Sequence, residues 1–86
     1  MATRINYIDV YSFYSELEAG VMESLMDDYR IGCSIRTLSP LGPGSDPSGF
    51  PEKRIAVEKE KVESARVIIK DAIRKGMLSG EGRFVS

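Results

Sequence analysis

The chain has 86 residues, 42% of them apolar, and its 12 Lys and Arg against 13 Asp and Glu leave a formal charge of −1. With no His and a single Cys, it excludes Ser-His and Cys-His nucleophiles, His-ligated zinc and an internal disulfide. The length fits one domain with one modest core, because a chain of this size buries only about 60–65% of the surface its unfolded form exposes.

Residues Ile5-Asn6-Tyr7-Ile8-Asp9-Val10-Tyr11 are β-branched and aromatic and alternate in part. They predict a strand with Ile8 and Val10 on one face and Tyr7, Asp9 and Tyr11 on the other. Ser15-Glu16-Leu17-Glu18 reads as a capping box, in which the Ser15 hydroxyl accepts from the Glu18 amide and the Glu18 carboxylate reaches back to the Ser15 amide. A helix runs from about Glu16 to Tyr29, with Leu17, Val21, Leu25 and Tyr29 as its apolar stripe, widened by Met22 and Met26. Gly32 then takes the turn without a Cβ penalty.

Residues Cys33–Leu38 predict a second strand, with Cys33 and Ile35 on one face and Ser34 and Arg36 on the other. Residues 39–51 hold all four prolines of the chain and no hydrophobic period, which makes them a loop. Lys53-Arg54-Ile55-Ala56-Val57 is a short third strand with Ile55 and Val57 inward. From about Lys59 to Lys75 a second helix carries Val62, Ala65, Ile69, Ala72 and Ile73 in one stripe. Arg74 and Lys75 suit its negative end and Gly76 its C′ position. The tail from Met77 to Ser86 either frays or adds an edge strand at Arg83-Phe84-Val85.

The order is βαββα, an α+β domain over residues 1–76 with residues 77–86 as a tail. It predicts a three-stranded sheet, open to a fourth edge strand from the tail, with both helices on one face. The first strand-helix-strand unit is a right-handed crossover that sets strands one and two parallel, and the 39–52 connection lets strand three run antiparallel. This is the ferredoxin-like, split-βαβ plan.

Charge is unevenly divided. Residues 1–30 carry six acids against Arg4 and Arg30, whereas residues 52–75 carry eight bases against five acids. Two solvated helix faces of opposite sign account for this, and a dipolar surface that orients association is the sharper reading. No basic field covers the chain, so nucleic acid is not the expected partner. No apolar run approaches the ~20 residues of a membrane span. Met1-Ala2-Thr3-Arg4 leads into polar sequence rather than a secretory signal. An unpaired Cys33 suits a reducing, cytoplasmic setting.

Gly42-Pro43-Gly44 lacks the Lys-Ser/Thr of a phosphate loop, and its prolines remove amide donors, so it reads as an irregular surface loop. Beside it, Arg36, Lys53 and Arg54 converge across adjacent strands without an obvious acid partner. With backbone donors around Gly42 and Gly44, they form a candidate site for a carboxylate or phosphate. Exposed cations that keep a sheet edge soluble are the competing account. Met22 and Met26, with Tyr7 and Tyr11 on the outer sheet face, are core residues or a face for a partner or a second copy. Asp27-Asp28 and Glu16/Glu18 read as solvated charge, and Cys33 as a core thiol. No metal or cofactor motif is present.

Val10-Tyr11-Ser12-Phe13, Glu18-Ala19, Leu25, Ile31, Arg36, Arg54-Ile55-Ala56-Val57 and Ala65-Arg66, spread over residues 8–75, resemble a bacterial family of signal-transducing proteins of unknown molecular function. That family is similar in fold to the nitrogen-regulatory PII proteins. The resemblance implies a βαββα sheet and a small regulatory module in which the segment after strand two, here Ser39–Pro51, meets partners. The segment departs from the PII-like pattern in lacking a central tyrosine and in its wealth of Pro and Gly. The expected function is binding of a protein partner or small anionic metabolite through the 39–52 loop and its flanking cations. The alternatives are a small enzyme that uses the open sheet face as a pocket, with Tyr7 and Tyr11 as polar handles, and a plain dimerisation element.

Overall fold

The computed structural model describes residues 6–38 and 51–85. In chain order these form β1 (Tyr7–Phe13), α1 (Glu16–Asp28), β2 (Cys33–Leu38), β3 (Glu52–Glu58), a 3-10 turn (Lys59–Lys61), α2 (Val62–Arg74) and β4 (Arg83–Phe84). The strands make one antiparallel sheet in the order β2-β3-β1-β4. Because β3 lies antiparallel between β1 and β2, those two run parallel without pairing. The α+β class holds, with four strands rather than three. The tail adopts the edge strand, pairing Phe84 with Tyr11 and Arg83 with Ser12.

Helix α1 starts where the serine-led box places it: the Ser15 hydroxyl accepts from the Glu18 amide at 3.3 Å. The return half of the box is not made. The Glu18 carboxylate instead accepts from the Ser79 amide at 2.8 Å, tying the tail to the start of α1. At the other end the Arg30 amide donates to the Asp27 carbonyl at 2.9 Å and the Ile31 amide to the Met26 carbonyl at 2.8 Å, which is a Schellman closure. Arg30, at φ 57°, therefore takes the left-handed position expected of Gly32. The α2 terminus closes in the same way on Gly76 (φ 81°), with the Met77 amide on the Ala72 carbonyl at 2.9 Å. Lacking a side-chain cap, α2 is entered through the 3-10 turn.

A β-bulge decides which face each β1 residue sees. Asp9 pairs with Ala56 and Tyr11 with Ile55, so Val10 is the extra residue and the alternation inverts beyond it. Tyr11 and Phe13 thereby join Ile55 and Val57 on the helix-covered face. Tyr11 is 1% exposed, with the Phe84 ring edge-on at 4.9 Å, which corrects its expected place on the outer face. Met22 and Met26 of α1 share one core with Ala65, Ile69 and Ala72 of α2 and these strand residues, so both helices lie on that side. Both methionines are fully buried and Leu17 and Tyr29 are exposed. The inward stripe of α1 is thus centred on the methionines, which removes Met22 and Met26 from any interface.

Leu78 of the tail is also buried in the core. Gly82 lets β4 dock, because a Cβ there would overlap the Ser12 carbonyl oxygen and stand 2.7 Å from the Tyr11 ring. No helix among the described residues is long and apolar enough to cross a membrane.

Candidate functional site

The face of the sheet turned away from both helices collects the charged side chains. Strand register sets Arg36 of β2 beside Arg54 of β3, Arg54 beside Ser12 of β1, and Ser12 beside Arg83 of β4. Three guanidinium-bearing residues and one hydroxyl thus form a single row across all four strands, flanked by Asp9 and Glu52. Arg36 donates to both Asp9 carboxylate oxygens at 2.6 and 2.5 Å. A terminal nitrogen of Arg54 lies 3.6 Å from Asp9, while its Nε donates to Glu52 at 2.8 Å. The Ser12 hydroxyl donates to the same Glu52 oxygen at 2.6 Å.

This network holds the Glu52 carboxyl below the usual carboxylate range, first through the Ser12 hydroxyl and then through Arg54, with the Arg83 charge adding to the effect. Arg83 makes no ion pair among the described residues. Each guanidinium has five N–H donors, and two carboxylates cannot engage all those of three arginines. Donors of Arg54 and Arg83 on either side of Ser12 are left for a further anion.

Arg36 and Arg54 are brought together as the sequence suggested, but Asp9 and Glu52 partner them. Lys53 does not join them, because strand alternation turns it to the opposite face. It is 4% exposed there, its Nζ 3.5 Å from a Glu16 carboxylate oxygen and 3.5 Å from the Thr37 hydroxyl. Gly42 and Gly44 lie outside the described residues. Tyr7 stands at the far end of the charged face, paired with Glu58 and 40% exposed. Sequence reasoning missed Asp9, Ser12, Glu52 and Arg83 as members of the site. Outward alternation of β1 carried the signal for Asp9, whereas Ser12 sits beyond the bulge and Arg83 on a strand only two residues long.

A second concavity lies on the other side of the sheet, where β1 ends and α1 and β3 begin. It is a groove of about 790 Å³ lined by Phe13, Tyr14, Leu17, Pro51, Lys53 and Gly82, with glutamates at its rim. Elsewhere, burial first and then the Glu23 and Asp27 charges push the Cys33 thiol pKa up, which keeps it a protonated packing group at neutral pH. Among the described residues no cluster of three or more His, Cys, Asp or Glu side chains is gathered for a metal ion. Comparison with protein-family models, with curated proteins and with solved structures finds no match to this chain.

Proposed function

We propose that this chain is a small regulatory or interaction module that binds an anionic group, phosphate or carboxylate, on its open sheet face. The observation that carries the reading is the Arg36–Arg54–Ser12–Arg83 row, held by Asp9 and Glu52. Arginine suits this work because its planar fork meets two oxygens of an oxyanion at once. The fixed carboxylates preorder the guanidinium planes and leave the row with one excess positive charge. Leu38 and Glu52, which bracket the 39–51 connection, pair in register at the margin of this face, so a partner reaching the row also reaches the ends of that segment.

We read the strand order β2-β3-β1-β4, with a helix in each crossover, as the ferredoxin-like plan, and the resemblance to the bacterial signal-transducing family agrees with it. The alternative that used Tyr7 and Tyr11 as handles of an open-face enzyme pocket is not retained, since Tyr11 lies in the core.

Titration of the 15N-labelled chain with inorganic pyrophosphate tests the proposal. Amide shifts confined to Ser12, Arg36, Arg54 and Arg83, with about tenfold weaker binding in Arg54→Gln/Arg83→Gln, are expected. Shifts centred on Arg66, Lys70 and Arg74 of α2, or equal affinity in the double variant, would overturn it.

A further inference from the structure

The groove at the start of α1 is built unlike the sheet face. Its floor holds the Lys53 ammonium on a side chain that is 6% exposed, with its described polar contacts both at 3.5 Å. An ammonium–carboxylate hydrogen bond normally closes to about 2.7–2.9 Å, and a buried charge without a close partner is costly. The Glu16 side chain that faces it is 88% exposed, so it neutralises Lys53 from solvent and can swing aside.

The walls are apolar: Phe13, Tyr14, Leu17 and Pro51 line the groove, and Leu17 and Tyr14 remain 84% and 48% exposed. A leucine in the first turn of a helix, turned out beside a buried cation, offers apolar surface that no described residue covers. The Glu16 and Leu17 amides at the start of α1 have no acceptor within the helix, and the positive end of its dipole is directed the same way. Glu16, Glu18 and Glu81 at the rim oppose a ligand with two or more negative charges. The volume of about 790 Å³ falls in the range of about 300–1,000 Å³ typical of small-molecule sites.

We propose that this groove binds a small monocarboxylic acid with an apolar body, its carboxylate displacing Glu16 from Lys53 and its apolar part lying on Tyr14, Leu17 and Pro51. The site is independent of the arginine row, because Lys53 and Arg54 are neighbours on β3 that point to opposite sides of the sheet.

The test is titration of the full 15N-labelled chain with 4-methylpentanoate, L-leucine, 3-methylbutylamine and inorganic phosphate. 4-Methylpentanoate is expected to shift the amides of Glu16, Leu17, Lys53 and Gly82, whereas the amine and phosphate leave them in place. The same shifts with L-leucine identify amino acids as the source of the carboxylate, and their absence identifies simple acids. Lys53→Met should weaken binding by at least about tenfold. Leu17→Asp, on an exposed side chain that folding does not need, should weaken it several-fold and keeps the test open if the Lys53 variant does not fold. The proposal is overturned if 4-methylpentanoate moves none of these amides, if both variants bind it as tightly as the parent chain, or if phosphate gives the same shifts.

Discussion

Glu52 shows how much of the sheet face depends on one side chain. One of its carboxylate oxygens accepts from both Ser12 and Arg54, and those bonds hold its pKa down, the Ser12 bond contributing most. A carboxyl whose pKa is lowered by folding stabilises the folded chain above its unfolded pKa of about 4.3, and this contribution fades as pH falls through the lower folded value. Ser12→Ala should therefore move the Glu52 titration, read by carboxyl 13C shifts, up toward the ordinary range and shift acid unfolding to higher pH. An unmoved titration would assign the whole effect to the arginines. At this scale the Asp9–Arg36 contact was within reach of the sequence only in part: both residues read as outward-facing, but they sit on β1 and β2, and it is β3 between them that sets the reach of the pair. Ser12 was not, because an unbroken alternation from Ile8 and Val10 turns it inward and only the extra residue at Val10 turns it out.

The helix ends were legible to different degrees, for a physical reason. Gly76 ends α2 as composition suggests, because glycine takes the left-handed position at no steric cost. In α1 the neighbouring isoleucine sets that position. Ile31 is the buried apolar residue just past the turn and its amide reaches the Met26 carbonyl, so the left-handed residue has to be Arg30, whatever its intrinsic preference. An L-residue in that conformation costs about 1–2 kcal/mol, partly offset by a cation at the negative helix end, worth roughly 0.3–1 kcal/mol. Arg30→Gly should accordingly stabilise the chain by about 0.5–1 kcal/mol and raise its thermal midpoint by a few degrees. A lower midpoint would mean that the Arg30 charge outweighs the strain. The same tertiary demand explains why Met22 and Met26, rather than Leu17 and Tyr29, face the core, since a stripe wider than one face leaves the choice to packing.

At the scale of the molecule, the boundary drawn after Gly76 separates residues that the fold joins. A tail with two glycines and a two-residue strand has no periodicity to read, and its docking rests on a close approach at Gly82 that only the assembled sheet reveals. Leu78 is 3% exposed, and Phe84 packs edge-on against Tyr11 with Arg66 and Lys70 over its ring at 5.8 and 5.6 Å. The Val85 amide donates to the Val10 carbonyl at 2.9 Å, beside the bulge that orients Tyr11. Removing residues 77–86 uncovers Tyr11 and deletes the buried Leu78 and the partly buried Phe84, each worth up to roughly 1.5–3 kcal/mol of burial. Domains of this kind have only about 5–15 kcal/mol of net stability. The chain cut after Gly76 should therefore lose about 3–6 kcal/mol, seen as a large fall in its urea midpoint. In the intact chain the Val85 amide should exchange as slowly as those at the centre of β1. Fast exchange at Val85, together with an unchanged midpoint in the cut chain, would mean that β4 docks without contributing to the core and that residues up to Gly76 fold as a unit by themselves.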